Sequence, residues 1–400
     1  MILSFIAIIL SIIESQVLLL LLALTLHLWV PDIFESKGGI QAYSAFFLKA
    51  LQSLYPNIEY NVLLKHDTDA SSVSYPSNIH FHFAGAWPLP LRTSAFAAQI
   101  LGFGIWQRPN LVISTHLNFT VAANLLKQLT GIPYWTIVYG IDAWDIQRPA
   151  LQTALHHADR ILSISSYTRD RLLKEQNLDP DKVLLLPCAF DPECFTPGSK
   201  PTYLLKRYGI EPNRPIILTV ARLASTEQYK GYDQIIKALP QIRQAIPNIH
   251  YILVGKGDDL SRIEQLILSL QLQDCVTLTG FIPNHELCDH YNLCDVFAMP
   301  SKNEGFGIVY LESLACGKPT LGGNRDGAVD ALCQGELGVL VNPDDIEEIA
   351  KSLIQILHGT YPNPLLYQPE ALRQKVIDIF GFEHFKKTLA SHLKGWENHF

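Results

Sequence analysis

Short apolar runs alternate with stretches of helical pattern along most of the chain. In the first half, QAYSAFFLKALQSLY reads as a helix, LVIST (111–115) as a strand, TVAANLLKQLTG as a helix ending at Gly131, and PYWTIVYG (133–140) as a strand. RILSIS (160–165), YTRDRLLKEQN and KVLLLP (182–187) continue as strand, helix and strand. Strands that are apolar throughout and set between helices predict a parallel sheet covered on both faces. Near residue 191 the alternation stops, and DPECFTPGSKPTYLLKRYGIEPNRP reads as a proline-rich linker with one short helical piece. The alternation resumes through PIILTVARL, YDQIIKALPQIRQAI, YILVGKG, LSRIEQLILSLQL, CVTLTG, HELCDHYNLC and VFAMPS, then the helix FGIVYLESLACG, the strands PTLGG and GVLV, and the helix IEEIAKSLIQILHG. Two such βα-repeat halves predict two facing domains, with a ligand cleft at the carboxyl ends of the strands.

The 400-residue length suits two domains of roughly 100–200 residues each. With 48% hydrophobic and 17% charged residues the chain is an ordinary folded one. Its net charge of −7 argues against a general nucleic-acid binder, which needs clustered Lys and Arg. The seven cysteines are odd in number and none is spaced Cys-x2-Cys, so they read as reduced thiols of a cytosolic protein. His80 and His82 fall on one face of a strand without a third ligand, and no metal site is expected. Before Lys37 there is no Lys or Arg. The runs MILSFIAIILSII and VLLLLLALTLHLWV are interrupted by Glu14, Ser15 and Gln16, and neither alone reaches the roughly 18–20 residues of a span. Residues from about 18 to 30 are assigned to the first buried strand. What precedes them is an extension: a membrane-dipping helix or a start placed too far upstream, with a transmembrane anchor as the third option.

The chemistry concentrates in NEGFGIVYLES, residues 303–313. Val296–Pro300 reads as a strand, Ser301–Phe306 as the turn at its carboxyl end, and Gly307 to Ala315 as a helix. Gly305 and Gly307 allow close backbone approach. The helix N-terminus offers unpaired N–H groups and a positive dipole end, a seat for phosphate. Glu304 and Glu312 bracket that seat and would repel phosphate unless they bind hydroxyls. A nucleotide-sugar resolves the conflict, because hydroxyls flank its diphosphate on both sides. The plainer reading makes Glu304 a cap and Glu312 a solvated helix residue. Arg222 and Lys230, at the carboxyl end of PIILTV, supply two cations that can neutralise a leaving diphosphate, although either alone also reads as a surface charge.

Arg222, Lys230-Gly231, LVGKGDD, GFIP, the E-G-F-G turn with its second Glu, ACGKP and GELGVLVNP occur in that order. Together with SKGGIQAYSAFFLKAL, ADRILSISSYTRDRL and VLLLPCAFDPECFTP, they make the chain resemble glycosyltransferase family 4 over nearly its whole length after residue 28. The resemblance implies an α/β GT-B fold of two facing Rossmann-like domains with parallel sheets, and retaining sugar transfer. It implies that Arg222 and Lys230 hold the donor diphosphate. The N–H groups of Phe306, Gly307 and Ile308, next to Gly305, cradle its distal phosphate. Glu312 binds the ribose, and Glu304 the transferred sugar near the reacting carbon. Gly38 and Gly39 pass close to the phosphates when the cleft shuts, and His116 faces sugar or acceptor, with a satisfied buried histidine as its alternative. Asp142 is a weaker acceptor-side candidate; the family often has histidine where this chain has Tyr139.

On this reading residues 1–17 are the apolar extension and 18–196 the acceptor-binding domain. Residues 197–384 bind the nucleotide-sugar, and 385–400 form a helix returning to the N-terminal domain. The expected reaction moves a sugar from a nucleoside-diphosphate sugar to an acceptor hydroxyl in polysaccharide, glycolipid or other glycoconjugate synthesis. The expected acceptor is a sugar, a glycolipid or another hydroxyl compound, and neither cofactor, metal nor nucleic acid is required. Same-face attack, with the leaving phosphate taking the proton, is favoured by the resemblance over a covalent intermediate. Asp67-x-Asp69 reads as a solvated loop rather than a metal site, and GKGDD lacks the third glycine of a dinucleotide fingerprint. A nucleotide-sugar epimerase on the same fold and a non-catalytic nucleotide-sugar binder are the rival readings. The apolar start and the amphipathic FGFEHFKKTLASHLKGW are consistent with a cytoplasmic protein in peripheral contact with the inner membrane face.

Overall fold

The computed structural model describes residues 24–35, 38–70 and 74–396. Residues 1–17, read above as an extension, and 18–23, read as the start of the first strand, lie outside them. Seven strands, β1 (Thr25–Val30), β2 (Glu59–Leu64), β3 (Ile79–Phe83), β4 (Leu111–Ser114), β5 (Tyr134–Val138), β6 (Arg160–Ser163) and β7 (Val183–Leu185), form one parallel sheet in the order β3-β2-β1-β4-β5-β6-β7. Helices α1 (Gly39–Leu54), α2 (Leu89–Gln107), α3 (Thr120–Thr130), α4 (Pro149–His157) and α5 (Ser166–Gln176) connect them. After a linker carrying α6 (Thr202–Tyr208) comes a second parallel sheet, ordered β10-β9-β8-β11-β12-β13. Its strands are β8 (Ile216–Val220), β9 (His250–Val254), β10 (Val276–Gly280), β11 (Val296–Met299), β12 (Thr320–Gly323) and β13 (Val339–Val341). Helices α7 (Tyr232–Ala245), α8 (Leu260–Ser269), α9 (Leu287–Leu293), α10 (Ile308–Ala315), α11 (Ala328–Ala331), α12 (Ile346–Leu357), α13 (Pro369–Phe380) and α14 (Phe382–Leu393) complete the chain.

Both sheets are buried on two faces, as their unbroken apolar strands require. Along β1, Leu26, Leu28 and Val30 face α1 and α14, whereas Trp29 faces α2 and α3. The first of these clusters does not end with its own sheet. It runs through Leu186, Phe190 and Leu204 into the second half, where Phe297, Tyr310 and Leu314 join it. The two halves therefore share one apolar core on the linker side. In each sheet the strand order reverses beside the first strand of its half, at β1/β4 and β8/β11, where crevices open at the carboxyl ends.

The chain crosses back between halves at Gly381. Helix α13 packs on α10, and α14 packs on α1. There Phe385 meets Tyr43 edge-to-face at 5.6 Å, and Leu185 O is 2.7 Å from His392 Nε2. Arg373 of α13 ties the linker down by donating to the carbonyls of Pro192 (2.6 Å), Ala315 (2.8 Å) and Phe195. Asp67 corrects the sequence reading. It is fully buried, and its carboxylate accepts from the backbone N–H groups of Ile33 (2.6 Å), Phe34 (3.2 Å) and Glu35 (2.9 Å). Rather than lying in solvent, it shapes the loop that leads to Gly38. No described helix is long and apolar enough to cross a membrane.

Arg373→Met keeps the stem of the side chain but strands three carbonyls that a cation had satisfied. Urea unfolding should show a loss of about 2–4 kcal/mol, by the usual cost of buried acceptors losing a charged donor.

Candidate active site

The turn between β11 and α10 is held by a residue that the sequence reading did not single out. Asp326, after β12, is fully buried. It accepts from Ser301 Oγ at 2.6 Å, from the Glu304 N–H at 2.7 Å and from the Ala328 N–H at 3.0 Å, while Gly327 N–H donates to Glu304 O at 2.8 Å. Burial pushes the Asp326 carboxyl up to about 6 against these stabilising bonds. Ser301 Oγ also lies 3.0 Å from the hydroxyl of Tyr310, which donates to Met299 O at 2.6 Å. The turn from 301 to 304 is thus fixed to the strand before it and the helix after it. Gly307 then caps α10 with φ +87°, a left-handed conformation that favours glycine.

Glu304 forms a part-buried ion pair with Lys230. Burial alone would pull the lysine down, but the Glu304 carboxylate holds it above its ordinary value. Arg222 stands differently from Lys230. Its side chain is 66% exposed and pairs with Glu227 at 3.0 Å. The loop carrying both cations is braced from the β9 side. Asp258 accepts from the Ser225 N–H and hydroxyl, each at 2.8 Å, and Asp259 accepts from Tyr232 at 2.7 Å. GKGDD is therefore a brace for the Arg222–Lys230 loop. Glu312 lies one helical turn into α10 and accepts a 2.7 Å bond from the buried Tyr291 hydroxyl. Burial pushes its carboxyl up to about 7, although the Tyr291 bond works the other way.

The N-terminal half meets this turn directly. A Cβ added to Gly305 would lie 1.8 Å from the carbonyl oxygen of Tyr139, and one added to Gly140 would lie 2.7 Å from Gly305 Cα. Two glycines face each other across the cleft because nothing larger fits. The Tyr139–Gly140 turn, placed in doubt by its departure from the family pattern, is therefore a contact point between the halves. Gly39 abuts α10, since a Cβ there would reach 3.9 Å from Ile308 Cδ1. Gly38 precedes it in extended conformation. Asp330 of α11 reaches over to the start of α5, accepting from Ser166 Oγ and from the Tyr167 N–H at 3.1 Å. Phe306 is buried against Phe380, with ring centroids 5.6 Å apart.

His116 follows β4 and caps the next turn, its Nδ1 accepting from the Asn118 N–H at 3.1 Å. Burial, followed by the charges of Lys65 and His66, lowers its pKa. The ring is therefore neutral at pH 7, with Nε2 carrying the proton and serving as a donor. Asp142, after β5, accepts from the Tyr139 N–H at 3.1 Å, and burial pushes it up to about 7. Among the described residues no cluster of three or more metal-ligating side chains occurs. His80 Nε2 lies 2.8 Å from Glu59 Oε2 and His82 Nε2 lies 2.8 Å from Asn61 Oδ1. All seven cysteines are free thiols, with Cys288 and Cys316 Sγ atoms 3.8 Å apart.

Comparison with known proteins bears on the family and the fold. The profile described as "Glycosyl transferases group 1" matches residues 204–373, and "Glycosyltransferase Family 4" matches residues 38–194. The chain belongs to this glycosyltransferase family. A GDP-mannose-dependent alpha-(1-6)-phosphatidylinositol monomannoside mannosyltransferase of Mycolicibacterium smegmatis is 33% identical over 221 residues, 53% of this chain and 56% of that protein. The chain thus spans little more than half the length of that relative. A D-inositol 3-phosphate glycosyltransferase of Stackebrandtia nassauensis is 26% identical over 80% of this chain and 79% of its own. Sucrose-phosphate synthase from Thermosynechococcus elongatus superposes with a TM-score of 0.76 at 19% identity, covering 94% of this chain and 99% of that one. Anabaena HepE, solved in complex with UDP-glucose, superposes with a TM-score of 0.75 at 18% identity over 93% of this chain and 99% of its own. The fold is GT-B: two parallel sheets, each flanked by helices, facing across a cleft.

Glu312 makes stability depend on pH. The unfolded chain releases this proton near the usual 4.5, whereas the folded chain keeps it to about 7. Stability therefore falls as pH rises through that window. Glu312→Gln, which keeps an acceptor for Tyr291, should be about 1–3 kcal/mol more stable than wild type at pH 8 in urea titrations, with the gain vanishing near pH 4. A pH-independent difference would mean that Glu312 is not desolvated. Separately, Gly305→Ala forces the halves apart at the Tyr139 carbonyl. Donor turnover should fall by about 10²-fold or more while the circular dichroism spectrum stays unchanged.

Proposed function

We propose that the protein is a retaining glycosyltransferase that moves a sugar from a nucleoside-diphosphate sugar to an acceptor hydroxyl. The observation that carries the reading is the part-buried Lys230–Glu304 pair at the positive end of α10, beside Gly305, which packs against the Tyr139–Gly140 turn of the other half. A cation and a carboxylate neutralise each other there without ligand. A diphosphate would take over Lys230 and release Glu304 for the sugar hydroxyls. Arg222, exposed at the same strand end, would swing from Glu227 onto the phosphates. The N–H groups of Phe306, Gly307 and Ile308 would cradle the distal phosphate at the helix N-terminus. Glu312, further along α10, would accept from the ribose hydroxyls. Gly38 and Gly39 allow the N-terminal loop to lie over the phosphates.

In the transfer step the acceptor oxygen attacks the anomeric carbon from the face that the diphosphate leaves. The carbon–oxygen bond to phosphate breaks, and the acceptor proton passes to the departing phosphate oxygen. Arg222, Lys230 and the helix terminus stabilise the charge that builds there. The Nε2–H of His116 is suited to hold a sugar or acceptor hydroxyl. GDP-mannose is the first donor to try, because relatives are named for it, and UDP-glucose the second, because a structural neighbour was solved with it. The phosphatidylinositol mannoside in those relatives' names makes a membrane lipid the first acceptor class to try, and our reading has the protein working peripherally on the cytoplasmic face.

The test is nucleoside-diphosphate release from a panel of UDP-, GDP- and ADP-sugars. One donor should be turned over by wild type and about 10²–10³-fold more slowly by Lys230→Ala and Glu304→Ala. Conversion of the donor to its stereoisomer would make the protein an epimerase instead. Donor binding by titration without turnover, with every acceptor class supplied, would make it a non-catalytic binder.

A further inference from the structure

The packing of α9 against α10 brings two cysteines together at the far end of the helix that starts at the E-G-F-G turn. Cys288 lies in the first turn of α9, Cys316 directly follows α10, and their Sγ atoms are 3.8 Å apart. They are 28 positions apart in sequence, so the fold and not the local chain sets their meeting. A disulfide bond is about 2.05 Å long, which leaves roughly 2 Å for the sulfurs to close. The two thiols differ in access. Cys316 is buried, whereas Cys288 is partly exposed. They differ in acidity too. The hydrogen bond from the Cys316 thiol holds Cys288 below its ordinary value, and the same bond, with burial, pushes Cys316 up. Asn292 Nδ2 adds a second donor to Cys288 Sγ, at 3.5 Å. The thiolate is the form that attacks an oxidant, so Cys288 is the sulfur that reacts first and Cys316 the one that resolves it.

The pair stands beside a contact of the candidate active site. Cys288 and Tyr291 are three residues apart on α9, and Glu312 and Cys316 four apart at the end of α10, spacings that put each couple on one side of its helix. The Tyr291 hydroxyl donates to Glu312 at 2.7 Å, so the thiol pair and this bond are neighbouring ties between the same two helices. On its other side the pair touches the linker. Cys288 Sγ lies 3.7 Å from the Thr196 carbonyl oxygen, to which Asn292 Nδ2 donates at 2.9 Å. Arg373 holds the carbonyl of Ala315, one residue before Cys316, and that of Phe195, one residue before Thr196. A shift of the sulfurs is therefore passed to Glu312 in one direction and to the linker clamp in the other.

We infer that Cys288 and Cys316 are a redox modification site, closed to a disulfide by hydrogen peroxide and reopened by a dithiol, and that the closed form binds donor more weakly. The Cys288 sulfur attacks one peroxide oxygen. The O–O bond breaks, the departing hydroxide takes a proton and leaves as water, and Cys288 becomes a sulfenic acid. The Cys316 sulfur then attacks the Cys288 sulfur. The S–O bond breaks, the S–S bond forms, and the departing hydroxide takes the Cys316 proton as a second water. The two sulfurs together give up two electrons, and the peroxide takes them. Closing the gap draws the end of α10 toward α9 and displaces Glu312 from its bond to Tyr291. The effect on donor rests on the transferase reading, in which Glu312 holds the ribose; the modification itself does not.

The test is treatment of the full chain with stoichiometric hydrogen peroxide, then alkylation of the remaining thiols and peptide mass spectrometry. The expected product is a pair of peptides joined through Cys288 and Cys316, short of two hydrogens and parted by dithiothreitol. Titration with the panel of UDP-, GDP- and ADP-sugars should show the bound donor held about tenfold more weakly by the oxidised protein, the usual effect of losing one well-placed hydrogen bond, and recovered with dithiothreitol. Cys288→Ser should keep the affinity of the reduced protein and lose the response to peroxide. Cys194→Ser, which removes an exposed thiol of the linker, should keep both. Absence of the joined peptides, or joining through Cys194 instead, would overturn the site. Joined peptides with undiminished donor affinity would overturn the effect on donor. Reduced protein that binds none of the panel would count against the transferase reading, while the peptide map tests the modification on its own.

Discussion

Everything in the cleft hangs on one buried carboxylate. Asp326 takes three hydrogen bonds from the turn and helix start around it, and those bonds set where Glu304 begins and how Gly305 is presented. With the turn fixed, Glu304 falls on Lys230, Gly305 lies against the Tyr139 carbonyl, and α10 begins with its N–H groups open. A buried charge is costly unless fully bonded. Here it is bonded, and the result is a rigid phosphate seat on an otherwise glycine-rich turn. Preorganisation of this kind is what an electrostatic mechanism requires, since donors that must first reorient lose much of their effect.

The two halves are joined in contrasting ways. On the linker side they share apolar packing and the Arg373 clamp, which exclude water and resist separation. On the cleft side they touch through two glycines and through Asp330 at the start of α5. These contacts are small and polar and can open at little cost. The stronger packing therefore lies on the linker side and the lighter contacts on the cleft side.

The βα alternation, the linker and the residues of the E-G-F-G turn were legible because each has a local signature: period, proline content, or glycine beside charge. Helix α10 starts one residue after the Gly307 position read from sequence. Asp326 and Asp67 were not legible. Each is a single aspartate in a polar stretch, and apart from Ser301 Oγ the groups that hold them are backbone N–H donors, which leave no mark on residue identity. Asp67 was read as solvated for that reason. The Gly140–Gly305 contact was hidden because it joins positions far apart in sequence. Arg222 and Lys230 looked alike in the chain but differ in burial, a difference that only the packing around Glu304 creates. Helix α2 escaped a periodic reading because its outer face is as uncharged as its inner one.

That lack of carboxylates has an effect at a distance. With no acid between residues 70 and 141 and a net charge of −7 on the chain, Arg92 and Arg108 leave the α2–α3 segment net positive in an acidic molecule, an uneven distribution that acts as a dipole. An anionic plane exerts a torque on such a dipole within about one Debye length, about 10 Å at moderate salt. Near an anionic surface this segment would be drawn forward before any side chain touched it.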